Sequence, residues 1–305
     1  MNLLRRLNTL FHVTSDLSGS ASALTSAAVS SASGTGYEAV QGTDADFHRW
    51  INSSGQQGAG NQTGAITLGS NATCSFYKET KFIKGAGTAG GAGVLMVGGG
   101  GGTGGMPVGH SSGGGGAGRL VLYDDNYVSP GPNQITVGYG GQRTTNQNGT
   151  GHPGGTSSIQ GALDISAPGG GGGGTSSGQP AGNYHGRPGG SGGGGGCGHN
   201  NQNAGGGGGG QAPGASFNEG SGGSGGCGAG GGPNKDCAPF GYNSTNLNLP
   251  SISPKGGKFA AGGGSPTAQG SGLDGTGNGA YGSNDGGHGI VVIKVGKPKT
   301  FDVRE

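Results

Sequence analysis

Glycine sets the limits on what this chain can build. It supplies 85 of the 305 residues and is concentrated between Gly85 and Gly289, in blocks such as Gly98–Gly102, Gly169–Gly174, Gly192–Gly196 and Gly205–Gly210. Without a Cβ, such segments can approach one another more closely than any other residue allows, at the cost of more backbone entropy lost on ordering. The blocks keep no Gly-X-Y phase and proline does not alternate with them, which excludes a collagen triple helix. Two states remain. A Gly/Ser linker stays disordered because it has little apolar surface to bury. The ordered alternative is a bundle of extended helices with polyproline-II-like dihedrals, which lack internal hydrogen bonds, so that every amide must be met by a neighbouring helix or by water.

The inserts between the blocks favour order, because a linker has no need of strand-like runs. Val94-Leu95-Met96-Val97 enters the first block and Leu120-Val121-Leu122-Tyr123 follows it. Ile135-Thr136-Val137-Gly138-Tyr139 alternates as a half-buried strand does, and Ile290-Val291-Val292-Ile293-Lys294-Val295 closes the region. The fold class expected is therefore mostly irregular and β: a polyglycine-II helix bundle with short β-strands, preceded by a small N-terminal attachment region.

Residues 1–36 read as an amphipathic helix followed by an Ala/Ser-rich arm, with Leu3, Leu7, Leu10 and Phe11 on one side and Arg5 and Arg6 on the other. The arginines interrupt any secretory apolar core. Docking on a partner and a mitochondrial-type targeting segment both remain open for this helix. Residues 37–84 hold Phe47, Trp50 and most of the other large apolar side chains outside the glycine region, enough for a small attachment domain. Within it, 44–51 suggests one or two helical turns, while 65–68 and 73–77 alternate as strands. Residues 85–296 form the glycine-rich domain and 297–305 a charged tail.

Taken in order, Val94-Leu95-Met96-Val97 with Gly98–Gly102, then Pro130-Gly131-Pro132-Asn133-Gln134-Ile135-Thr136-Val137-Gly138-Tyr139-Gly140-Gly141, and last Gly287-His288-Gly289-Ile290-Val291-Val292-Ile293, resemble the glycine-rich domain of bacteriophage tail fibres and adhesins. The resemblance covers about residues 79–296. It implies a polyglycine-II bundle in a virion protein, oligomeric, with a trimer the usual arrangement for fibres. The glycine-rich segments of certain animal receptor kinases and of antifreeze proteins are similar too, but no kinase, membrane span or short strict repeat accompanies the glycine here.

Charged residues are only 10% of the chain and its net charge is +2, which speaks against a nucleic-acid groove or a polybasic membrane surface. No catalytic set and no cofactor is expected. Gly85-Ala86-Gly87-Thr88-Ala89-Gly90 matches a dinucleotide fingerprint in form, but more glycine and a strand follow it instead of a helix. Cys74, Cys197, Cys227 and Cys237 have no paired C-x-x-C spacing, so no metal site is expected; Cys227 with Cys237 is the disulfide to test. The inserts 142–153, 175–188, 197–204, 211–219 and 233–255 are expected as loops at the bundle's ends, and Tyr184, His185, Phe217, Phe240 and Tyr242 put rings on them. Rings on small polar loops suit surface recognition, since they give contact area at low entropy cost; covering the end of a glycine layer is the other use for them.

The expectation is a bacteriophage virion structural protein, a tail fibre or adhesin located in the virion. It would attach to other virion proteins through Leu3, Leu7, Leu10, Phe11, Phe47 and Trp50 and present its loops to a host receptor, a polysaccharide or an outer-membrane protein. The alternatives are a capsid or tail decoration protein and a non-viral glycine-rich extracellular or ice-binding protein.

Overall fold

The segment 45–51 places large apolar side chains on both of its sides: Phe47 and Ile51 face one way, Trp50 the other. Such a pattern suits a strand covered on both faces. The computed structural model describes residues 29–41, 45–52, 58, 60–68, 75–78, 81–84, 92–105, 112–123, 131–161, 164–175, 185–191, 193–194, 235–236, 258–260, 262–263, 275–282 and 284–296. In chain order the strands are β1 (Val29–Gly34), β2 (Tyr37–Gln41), β3 (Ala45–Ile51), β4 (Gln62–Leu68), β5 (Ser75–Lys78), β6 (Lys81–Lys84) and β7 (Ala92–Val97). They continue with β8 (Leu120–Tyr123), β9 (Gly131–Val137), β10 (Ser157–Gly161), β11 (Ile165–Ala167), β12 (Lys235–Asp236), β13 (Lys258–Phe259) and β14 (Ile290–Gly296).

Two five-stranded antiparallel sheets make the frame. The first has the order β1-β4-β9-β10-β11 and the second β2-β3-β14-β7-β8; β5 pairs with β6, and β12 with β13. The sheets face each other across one core. Ile66, Leu68, Ile135, Val137 and Ile159 from the first meet Trp50, Val94, Met96, Val291 and Ile293 from the second. The opposite face of the second sheet is buried as well, where Phe47, Ile51, Leu95, Val97, Ile290 and Val292 pack with Ala117, Phe259 and Ala260. Both sheets draw strands from either side of residues 84 and 85. The chain crosses from the first sheet to the second at Thr35-Gly36, where Gly36 takes φ +68° and Ile51 donates its N–H to the Gly36 carbonyl at 3.1 Å.

These sheets overturn the expected fold class. The described residues contain no helix, and their regular structure is all antiparallel sheet, not a polyglycine-II helix bundle. The physical reason is that the minority aliphatic runs find one another. Each is apolar on one or both faces, so pairing them buries a two-layer core, and the glycine blocks become extended connections that leave and re-enter strand ends. The helical turns suggested for 44–51 are likewise strand β3, which pairs with β14 from Ile290↔Ile51 to Gly296↔Ala45. The runs at 94–97, 120–123 and 290–295 are strands as expected, and 135–137 lies in β9.

The glycine segments hold together through backbone amides. Along 98–105, Gly98, Gly101 and Gly104 donate to Arg119, Gly116 and Gly113; Gly99, Gly102 and Gly105 donate to Gly155, His152 and Gly149; Gly100 and Thr103 donate to Gly287 and Asn284. Carbonyls of the same segment accept from three further stretches, through Gly170 and Gly173, Gly141 and Thr144, and Ala280. Six neighbours therefore surround one segment, which is how its buried amides are satisfied without a ladder. A Cβ at Gly99, Gly100, Gly101 or Gly102 would fall on the backbone carbonyl group of Tyr139, Asn278, Gly171 or Gln142. At this spacing only glycine fits.

Candidate functional site

The hydrogen-bond register shows which end of the glycine layer abuts the sheets and which described end lies away from them. Gly98, directly after β7, bonds to Arg119, directly before β8, so this end abuts the sheets. Gly105, at the other end, bonds to Gly149 in the turn closed by Gly149 N–H to the Asn146 carbonyl at 2.9 Å. Gln142, Arg143, Asn146, Gln147 and Asn148 are exposed around that turn. Two short-range bonds shape it, Asn146 N–H donating to Thr144 Oγ1 at 3.2 Å and Asn148 N–H to Asn146 Oδ1 at 3.0 Å, and Thr175 Oγ1, distant in sequence, donates to the Gln147 carbonyl at 2.7 Å.

Beside the turn lie residues 281–282 and 284–285. Thr103 links the two, since its N–H donates to the Asn284 carbonyl while its own carbonyl accepts from Thr144 N–H, each at 3.2 Å. Arg143 N–H donates to Asp285 Oδ1 at 2.6 Å, and Asn284 Nδ2 to the Tyr281 carbonyl at 2.6 Å. Tyr281 is 54% exposed, the one large hydrophobic side chain with this exposure among the described residues. On the other side of the turn, Arg187 Nε donates to Thr150 Oγ1 at 2.7 Å, with His185 exposed two residues earlier. The result is a polar, mixed-charge surface with an exposed aromatic residue, carried by loops on a tightly bonded base.

A separate polar-aromatic cluster lies at the edge of the second sheet. Tyr37 Oη and His48 Nδ1 are 2.9 Å apart, and the Tyr37 ring leans on Trp50 with centroids 5.1 Å apart. Burial lowers the His48 pKa, partly offset by the Asp46 carboxylate, and burial raises that of Tyr37. On the opposite face of the sheet Arg49 is buried and pairs with Glu38 across the strands. Among the described residues no group of three His, Cys, Asp or Glu side chains could hold a metal ion, and no helix is long and apolar enough to cross a membrane.

Of the side chains expected to bind a receptor, His185 is exposed; Tyr184, Phe217, Phe240 and Tyr242 lie outside the described residues, as do Cys227 and Cys237. Of those expected to contact a particle, Leu3, Leu7, Leu10 and Phe11 also lie outside them. Phe47 and Trp50 are core residues, 4% and 0% exposed, on opposite faces of β3. Their area is committed to packing within the chain. Arg143 lies in the expected loop 142–153, but its pairing with Asp285 and the exposure of Tyr281 have a weaker sequence signal: the turn-rich run Tyr281-Gly282-Ser283-Asn284-Asp285 between glycine stretches. No family model matches the chain, and no curated protein matches it in sequence.

Proposed function

We propose that this chain is a bacteriophage virion structural protein, a tail fibre or adhesin that attaches to the particle by its N-terminal part and presents loops of its glycine-rich region to the host surface. The observation that carries the reading is the placement of the loop 142–150 and of residues 281–282 and 284–285, which project polar side chains and Tyr281 from the end of the glycine layer remote from the sheets. Recognition benefits from loops whose base does not yield, because little entropy is then lost on contact. The base here is glycine packed too closely for any other residue. The order of motifs from Val94 to Ile293, similar to that of tail-fibre glycine-rich domains, supports the virion setting.

On this reading the partners are other virion proteins, a host polysaccharide or outer-membrane protein, and further copies of the chain, with a trimer as the arrangement to test. No catalysis, cofactor or nucleic acid enters. Gold-antibody labelling of intact particles, with an antibody to the glycine-rich region, tests the proposal by electron microscopy. Label at tail or fibre tips is the expected result. Label spread over the capsid points instead to a decoration protein, and particles without label remove the chain from the virion.

A further inference from the structure

Resting on the reading above, we infer that the surface formed by Tyr281, Asn284, Asp285, Arg143, Thr144 and Asn146 is a carbohydrate-binding site for a hydroxyl-rich bacterial surface polysaccharide. Three features single out this class of ligand. Tyr281 offers an exposed ring beside short polar loops, and a pyranose presents a flat C–H face that covers such a ring while its hydroxyls stay available. The ring has only two side-chain torsions to fix, so contact costs little entropy.

The second feature is the kind of polar group around it. Carboxylate, amide and guanidinium side chains are planar and can engage two neighbouring hydroxyls at once, the carboxylate by accepting, the guanidinium by donating and the amide by both. Asp285 commits Oδ1 to the Arg143 backbone, which fixes where its carboxylate stands relative to the loop 142–146. The third feature is anchoring. Thr103 ties Asn284 to Thr144 through the buried glycine layer, so the ring-bearing loop and the amide-bearing loop keep one separation. A protein partner, by contrast, is met by a broader apolar centre, whereas Asn284 and Asp285 are half-buried polar residues and the exposed residues of the adjoining turn, Gln142, Arg143 and Asn146 among them, are polar.

The test uses the full chain, fluorescently labelled, adsorbed to a panel of bacterial strains. Cells are used untreated, after periodate oxidation, which cleaves the vicinal diols of surface glycans, or after protease shaving. Periodate is expected to abolish adsorption and shaving to leave it. Tyr281→Ala is expected to weaken adsorption more than tenfold, Tyr281→Phe to retain it, and Asp285→Asn, which keeps the acceptor for Arg143, to weaken it several-fold. Thermal melting is run on each variant, and because these side chains lie at the surface, unchanged melting is expected. Adsorption that survives periodate but not shaving, or that ignores Tyr281→Ala, overturns the carbohydrate site and leaves the adhesin reading standing. Absence of adsorption to every strain overturns both.

Discussion

His288 accepts the backbone N–H of Gly140 through Nδ1, at 2.9 Å and with its imidazole fully buried. A backbone amide can only donate, so this nitrogen carries a lone pair and the ring proton sits on Nε2. The contact lies where the chain leaves β9 and where it enters β14, joining the glycine layer to both sheets. Ser157 acts in the same way nearby, accepting from Gly138 N–H at 3.0 Å and donating to the Val97 carbonyl at 2.7 Å.

Replacing His288 by alanine leaves the Gly140 amide buried without that acceptor, and a cost of about 1–3 kcal/mol is expected. Asparagine, whose side-chain oxygen reaches a similar position, should recover part of it. Urea denaturation of the three proteins checks this. Equal midpoints for wild type and alanine would show that the contact contributes nothing.

Gly101→Ala is expected to cost about 1–3 kcal/mol or more, the range for overpacked interiors, because the added methyl lands on the Gly171 carbonyl. Thr145→Ala, at an exposed position, should stay within about 0.5 kcal/mol of wild type. Thermal melting of the pair separates close packing from a general dislike of substitution. An unchanged melting temperature for Gly101→Ala would mean that the layer opens freely.

Histidine 48 makes stability depend on pH. Burial lowers its pKa in the folded chain below the ordinary 6.5, so as the pH falls the unfolded chain takes up the proton first. The contribution is complete above about pH 6.5 and is lost as the pH drops through the folded-state value. Urea titrations across acid and neutral pH should show a smaller acid loss for His48→Gln than for wild type. Parallel curves for the two proteins would refute this role.

Trp50 is the sole tryptophan, fully buried, with its indole N–H donated to the Ser33 carbonyl at 2.9 Å. Native fluorescence should be blue-shifted and resist acrylamide until the sheets come apart. Trp50→Phe removes that donor and some packing, with an expected loss of about 1–3 kcal/mol. A red-shifted, easily quenched native emission would place the indole in water, contrary to this core.

Local pattern made several strands legible. Val94–Val97, Leu120–Tyr123 and Ile290–Val295 are aliphatic runs too short for helices, and they are β7, β8 and the body of β14. Residues 44–51 read locally as one or two helical turns, whereas the deciding fact is non-local: β14 and β2 flank strand β3 on either side. The fold class failed for a related reason. Glycine dominates the count, but the two sheets are set by a few aliphatic runs that meet only after long detours of chain. At the candidate site, the loop 142–153 stood out by its polar composition. Asp285 did not, since its tie to Arg143 spans residues far apart in sequence and the turn-rich run 281–285 signals only a turn, not its partner.

The position of β14 also sets the order of events at the ribosome. This strand lies between β3 and β7 in the middle of the second sheet, so each of these older strands has only its outer neighbour, β2 or β8, until residues 290–296 have been synthesised. Gly100 likewise waits for Gly287. Non-local pairing of this kind is slow, and unpaired strands left waiting invite association with other chains. Nascent chains halted before residue 290 should therefore remain open to proteases and to helper chaperones, and the frame closes only when the last inner strand arrives.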